Sequence, residues 1–427
     1  MTYKQALNYL YGLQKYGVKF GLSKTSNLMK RLGNPHRGKA YIHIAGTNGK
    51  GSVAAMIESI LVRSGLKVGF YSSPHLVRFT ERFRINRKEI SKKKAAQLTG
   101  ELKSIIDPDH PPTYFEVTTA MALAYFAREE TDIAIMEVGM GGRLDATNII
   151  RPLVSAITNI SLEHQFFLGN SLLNIAGEKA GIIKKGVDTV TAATQQPVIS
   201  LFKKICRERG TPFWRVGRDI RYRPTGSGLD YYGINRVLKN LETGLKGEFQ
   251  NRNAALALSV IELLERKGFR ISSPDIREGL REVKWPGRLQ IISEKPHIIL
   301  DGAHNPGAVK ELVHAIEKGF SYKRLILILG VMNDKDINRI IKVVTPVSDY
   351  VVCTSPVYYR SADAGVLMKG VRALRKRGET APSVSKAINR AKELARPEDL
   401  ILVTGSLFTV GEALTAIDPV KYKADGI

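Results

Sequence analysis

The stretch Tyr41-Ile42-His43-Ile44-Ala45-Gly46-Thr47-Asn48-Gly49-Lys50-Gly51-Ser52 decides how this 427-residue chain is read. Its first five residues form an apolar run of strand length, and Val53 to Leu61 follow with a helical pattern. A glycine-rich turn from strand to helix lets backbone N–H groups converge on an anion, and the helix N-terminus adds partial positive charge. Lys50 adds a full charge, and Ser52 is placed to bind a metal ion. Gly46, Thr47, Asn48, Gly49, Lys50, Gly51 and Ser52 are therefore candidate phosphate contacts. The spacing departs from the common G-x-x-x-x-G-K-[ST] loop because Gly51 separates Lys50 from Ser52. Such turns also occur as plain structural elements in α/β proteins, so the surrounding sequence has to choose.

Further apolar runs flank the loop: Lys67 to Tyr71, Ile133 to Val138, Leu153 to Thr158 and Thr189 to Ala193, with helical patterns between them. That alternation predicts an α/β fold with a largely parallel sheet. Polar motifs follow the runs. Ser72-Ser73-Pro74-His75-Leu76 comes after the first, Glu137-Val138-Gly139-Met140-Gly141-Gly142-Arg143-Leu144-Asp145-Ala146-Thr147-Asn148 after the second, and Asn159-Ile160-Ser161-Leu162-Glu163-His164 after the third. In a parallel sheet these strand ends share one edge with the phosphate loop, where oxygen and imidazole ligands suit a metal-assisted phosphoryl reaction. Individually the glycines serve equally as turns, and His164 as a loop histidine satisfied by its neighbours.

Trp285-Pro286-Gly287 interrupts the helical pattern that covers Asn253 to Lys267 and Ser273 to Val283, and a fresh α/β series starts at Leu289 with Ile298 to Leu300, Leu325 to Leu329, Tyr350 to Cys353 and Leu400 to Val403. Two domains are expected, 1–285 and a smaller, Rossmann-like 286–427, closing on a shared cleft beyond their strand ends.

The motif Gly46-Thr47-Asn48-Gly49-Lys50-Gly51-Ser52 resembles that of the amide-forming ligases that include the Mur ligases. The strand-end motifs, with Tyr114-Phe115-Glu116, Glu178-Lys179-Ala180-Gly181-Ile182, Gly247 to Asn253, Trp285 to Leu289, Asp301-Gly302-Ala303-His304-Asn305-Pro306 and Thr404-Gly405-Ser406-Leu407, resemble the folylpolyglutamate/dihydrofolate synthase family over nearly the whole chain. The resemblance implies an N-terminal P-loop ATPase-like domain and a C-terminal glutamate-ligase domain. It also implies ATP, Mg2+, L-glutamate, and dihydropteroate or a reduced folate as acceptor; whether a monovalent cation such as K+ joins them is left open by the sequence. On this basis Ser73, Glu137 and His164 ligate magnesium with Ser52 nearby, and Lys50 neutralises the β/γ-phosphates. Asn253, Arg288 and Asp301 hold the nucleotide, His304 and Ser406 face glutamate, and Lys179 is carbamylated. Pro74, His75, Arg82 and Phe115 contact the acceptor, Phe115 either as a stacking ring or as packing; Val18-Lys19-Phe20-Gly21-Leu22 lies near it.

Composition sets outer limits. The 43% hydrophobic content excludes disorder, and no apolar run is long enough to span a bilayer. The N-terminal ten residues read as an amphipathic helix rather than a signal peptide, so a cytoplasmic location is expected; a monomer is a separate expectation. Cys206 and Cys353 are too few and too distant for a disulfide framework. The formal charge of +25 admits nucleic acid as well as small anions, but it is dispersed, and its runs at Ser91 to Lys94 and Arg372 to Arg377 are read as solvated faces on helical segments. No zinc-finger or RNA-recognition spacing is present, so multi-anionic substrates are the expected partners and nucleic acid is not. Only about 40 residues precede the phosphate loop, which argues against a ligase of a cell-wall precursor, whose N-terminal domain is separate.

Overall fold

The computed structural model describes residues 1–17, 19, 21–226 and 228–425; Val18 and Phe20 of the N-terminal segment read above lie outside it. Eight strands, β1 Tyr41–Ala45, β2 Val68–Tyr71, β3 Phe83–Ile85, β4 Lys88–Glu89, β5 Ile133–Glu137, β6 Val154–Ile157, β7 Asp188–Thr191 and β8 Phe213–Arg215, form one sheet in the order β4-β3-β2-β5-β1-β6-β7-β8. From β2 to β8 all pairings are parallel; β3 and β4 add an antiparallel edge. β1 is central, with Ile42 opposite Ile135 on one side and Val154 on the other. Strands buried on both faces read as continuous apolar runs, which is why β1, β5 and β6 are legible in the sequence.

One face of this sheet is covered by the helix Lys50–Arg63, itself wedged under the helices Phe249–Glu265 and Ser273–Glu282. Gly279 lets the last of these approach closely: a Cβ there would sit 2.6 Å from Ile60 Cα. The helices Tyr3–Gly12, Lys92–Ile105 and Tyr114–Arg128 cover the opposite face.

A three-stranded antiparallel sheet follows, β9 Arg221–Pro224, β10 Gly228–Tyr232 and β11 Val237–Glu242, then a six-stranded sheet of β12 Gln290–Glu294, β13 His297–Leu300, β14 Leu325–Leu329, β15 Tyr350–Cys353, β16 Gly378–Thr380 and β17 Leu400–Thr404, ordered β12-β13-β17-β14-β15-β16. Only the β12 pairing in that sheet is antiparallel. The change of sheet falls between Glu282 and Gln290, around Trp285.

One reading needs correction. The basic run Arg372 to Arg377 is not a helix face: the helix ends at Ala373, Arg375 has φ +57, and Lys376 Nζ donates to the carbonyls of Pro346 and Ser348, each at 2.8 Å. Cys206 and Cys353 are both buried as free thiols. Among the described residues no helix is long and apolar enough to cross a membrane.

Candidate active site

The loop after β1 is built around glycine. Gly46 has φ +140, and a Cβ there would lie 1.8 Å from Thr158 Oγ1, so only glycine lets the loop pass the end of β6. Thr158 Oγ1 donates to Asn48 O at 2.7 Å, while Asn159 accepts from the Thr47 N–H through its carbonyl (2.8 Å) and from the Asn48 N–H through Oδ1 (2.7 Å). Gly49, at φ +87, caps the helix Lys50–Arg63 against Asn253, and Gly51 lies under the indole of Trp285. Gln250 Nε2 donates to Ser52 Oγ (3.3 Å), and Asn253 Nδ2 donates to Gln250 Oε1 (2.8 Å). The loop, the helix Phe249–Glu265 and the Trp285 linker therefore meet at one point.

Two lysines converge on the loop. Lys50 Nζ donates to the carbonyls of Gly46 (3.1 Å) and Thr47 (3.2 Å), and Lys179 Nζ donates to Gly46 O at 2.9 Å. Lys179 is 5% exposed, which rules out a surface lysine. Burial, then the Lys50 charge, pushes its pKa down to about 7, so a large share of the amine is neutral near neutral pH. A neutral amine is the form that adds CO2 to make a carbamate.

Glu137 ends β5 and is 6% exposed. Burial raises its pKa, opposed by Lys50, by Arg288 from across the cleft, and by the Ser73 N–H, which donates to it. His164 has φ +50 and faces the same space; burial depresses its pKa to about 4, leaving a neutral imidazole able to ligate. Among the described residues no three His, Cys, Asp or Glu side chains form a ready-made metal site. The donors present are Glu137, His164 and the hydroxyls of Ser52 and Ser73, an oxygen-rich partial set. Mg2+ commonly binds in this way, completing its shell with phosphate and water.

The opposite wall comes from the six-stranded sheet. Asn48 and Asn305 exchange amide hydrogen bonds, Asn48 Nδ2 to Asn305 Oδ1 at 3.2 Å and Asn305 Nδ2 to Asn48 Oδ1 at 2.8 Å. Asp301 accepts from the N–H groups of Leu289 (2.9 Å) and Ala303 (2.8 Å), holding the Arg288 turn against the His304 loop. His304 Nδ1 lies 2.8 Å from Gly302 O, and its Nε2 lies 2.9 Å from Glu163 Oε1. Ser406 is 2% exposed and caps the helix Leu407–Ile417, with Oγ accepting from the Thr409 N–H at 3.0 Å.

On the other side of Glu137, Arg82 is 6% exposed, and among the described residues its guanidinium makes one hydrogen bond, Nε to His75 Nδ1 at 2.9 Å. It lies over the Tyr114 ring (5.2 Å), which stacks on Tyr11. Among the described residues no carboxylate forms a close ion pair with it, and the Glu137 charge reaches it only at longer range, which suits an acidic ligand. Phe115 is half-buried, packs against Gly139 and tilts against Tyr71, while Pro74 is exposed. Glu163, Lys335 and Asn305 were not singled out from sequence as site residues, and Asn48 was read as a phosphate contact rather than as the partner of Asn305; for Glu163 the one signal was its place beside His164.

Residues 44–261 match the Mur ligase middle domain and residues 287–407 match the Mur ligase, glutamate ligase domain. A Bacillus subtilis protein called dihydrofolate synthase/folylpolyglutamate synthase is 34% identical over 96% of this chain and 98% of its own length. The chain spans about half the length of a Haloferax volcanii relative, called a probable bifunctional folylpolyglutamate synthase/dihydropteroate synthase, to which it is 35% identical over 97% of its own residues and 50% of that protein. Among solved structures, Escherichia coli FolC in complex with DHPP and ADP aligns with a TM-score of 0.91 at 34% identity, covering 99% of both chains. A bifunctional folylpolyglutamate synthase/dihydrofolate synthase with Mn, AMPPNP and L-glutamate bound aligns at 0.88 and 33%, covering 98% of both.

Proposed function

This chain belongs to the dihydrofolate synthase/folylpolyglutamate synthase family, and from that premise we propose that it is an ATP-dependent ligase joining the amine of L-glutamate to the carboxylate of dihydropteroate, of a reduced folate, or of both. The observation that carries this reading is the cleft itself. A glycine cradle with two lysines and the buried Glu137 faces the His304 loop, and the Asn48–Asn305 pair holds the two walls together. One wall suits a nucleotide and the other an amino acid, as an ATP-driven condensation of an acid with an amine requires. Residues 1–285 would supply the ATP site and residues 286–427 the glutamate site.

The acceptor carboxylate is a poor acylating agent. One of its oxygens attacks the γ-phosphorus, the bond to the β-phosphate oxygen breaks, and ADP leaves behind an acyl phosphate. Lys50, released from the Gly46 and Thr47 carbonyls, spreads the charge of the transferring group. The neutral amine of glutamate then attacks the acyl carbon, the C–O bond to phosphate breaks, and the nitrogen loses its proton. Holding amine and acyl phosphate together contributes up to about 7–11 kcal/mol in well-oriented cases, and a closed cleft keeps water from the acyl phosphate.

The divalent metal that goes with the nucleotide would be Mg2+: Glu137, His164, Ser52 and Ser73 would hold it, and it would supply charge neutralisation for the phosphates. A carbamate on Lys179 would place a carboxylate beside Lys50 and that metal. Asn253, Arg288 and Asp301 would border the nucleotide, Pro74, His75, Arg82 and Phe115 the acceptor, and Ser406 the glutamate. The K+ expectation has no support from the relatives and enters only as an assay variable. We take the protein to act as a cytoplasmic monomer, without nucleic acid.

The test is mass spectrometry of products after incubation with MgATP, L-glutamate and either dihydropteroate or a reduced monoglutamyl folate, with ADP release followed in parallel. One glutamate added to dihydropteroate establishes the first activity and extension of the folate the second. Unchanged acceptors and no glutamate-dependent ADP release overturn the proposal.

A further inference from the structure

Glu163 stands in the loop after β6, in the half of the molecule that carries the phosphate loop, yet its two closest partners, His304 and Lys335, lie across the cleft. Its side chain is 8% exposed, and Oε1 lies 2.9 Å from His304 Nε2, 3.3 Å from Lys335 Nζ and 3.8 Å from His164 Nε2. His304 is in the loop after β13 and Lys335 in the loop after β14, so one carboxylate holds two loops of the opposite sheet. His304 is fixed from its other side by Gly302 O, and Lys335 Nζ also lies 3.7 Å from Asp334, which in turn meets Arg360. Lys335 is 11% exposed. A buried carboxylate requires such partners, and a buried ammonium requires such a carboxylate.

We propose that Glu163 is a positioning residue: it brackets the two halves together and holds His304 and Lys335 in one orientation at the glutamate wall of the cleft. It acts through the two side chains it holds. Removing its charge frees the His304 and Lys335 side chains at once and leaves the Asn48–Asn305 pair as the remaining tie beside them, whereas the phosphate loop, supported by Thr158, Asn159 and Asn253, keeps its shape. The kinetic part of this inference rests on the ligase reading above; the geometric part does not.

The test uses Glu163→Gln, Lys335→Met and the double variant in the full-length protein. Spin labels are attached through Lys204→Cys and Lys386→Cys, both exposed and on opposite halves, and the label-to-label distance is measured by pulsed EPR without substrates. A single narrow distance in the parent that broadens in Glu163→Gln and in Lys335→Met is the expected result. An unchanged distribution in both variants overturns the bracket. In steady-state assays Glu163→Gln should raise KM for L-glutamate about tenfold or more while KM for ATP changes less than twofold. Lys335→Met should add little to it, since both break the same contact. Equal effects on both KM values, or single effects that multiply, overturn the positioning role. If the parent shows no glutamate-dependent turnover, the ligase reading fails, and the distance measurement still decides the bracket.

Discussion

At the residue scale the two lysines at Gly46 O differ sharply, and the difference predicts how each responds to substitution. Lys50 is half-exposed and bonded only to carbonyls of its own loop, so Lys50→Ala should leave the denaturation midpoint nearly unchanged while turnover falls about 10²–10³-fold, the usual loss on removing one stabiliser of developing charge. Near-normal ligation would remove Lys50 from the mechanism. Lys179 is buried, and its folded pKa of about 7 lies below the ordinary 10.5. Between those values the unfolded chain holds a proton that the folded chain lacks, so this residue makes stability rise with pH across that window; its cost is complete below about 7 and absent above 10.5. In bicarbonate-free buffer Lys179→Met should therefore be more stable than the parent at pH 7, with the advantage shrinking by pH 9.5 in paired urea titrations. A gap independent of pH would show that the amine is not depressed.

At the scale of elements, what the sequence discloses is what burial on both faces and backbone geometry impose. β1, β5, β6 and β14 are largely apolar, fully buried runs because helices cover both sides of their sheets, and the glycines at 46 and 49 are visible because no other residue accepts those positive φ angles beside Thr158 and Asn253. Arg221-Tyr222-Arg223-Pro224 gives no such signal: β9 is mostly exposed, so neither alternation nor an apolar run marks it. The Glu163 contacts are hidden for a different reason, since His304 and Lys335 lie 141 and 172 positions away and nothing local announces their approach. Gly46→Ala forces a Cβ to 1.8 Å from Thr158 Oγ1 at an unfavourable φ. It should cost at least about 1–3 kcal/mol, the usual range for overpacking, and weaken binding of a fluorescent ATP analogue more than tenfold. Wild-type affinity in Gly46→Ala would mean that the loop adopts another shape when nucleotide is bound.

At the scale of the whole molecule, the chain passes between its halves at Trp285 and returns at its C-terminal end. Asp425, 4% exposed at the side chain, accepts from Tyr3 OH (2.9 Å) and from the Phe79 N–H (2.8 Å), with Lys92 Nζ 3.2 Å from its other oxygen. Arg78 Nη1 donates to Lys421 O, and Gly411 abuts Leu76 so closely that a Cβ would fall 2.0 Å from its carbonyl oxygen. The segment that reaches Asp425 therefore ties the helix Leu407–Ile417 to the turn Phe79–Arg82, and Arg82 is the cation of the acceptor side, without a close ion pair among the described residues. Asp425→Ala leaves a part-buried N–H and a phenol without their acceptor, at about 1–3 kcal/mol. Because the phosphate loop rests on other partners, ATP affinity should stay within twofold of the parent, whereas KM for the pteroate or folate acceptor should rise severalfold as the Phe79–Arg82 turn loosens. Urea titration with the two KM values measures all three quantities. Equal losses for ATP and acceptor would mean that the tie stabilises the molecule as a whole and has no separate hold on the acceptor wall.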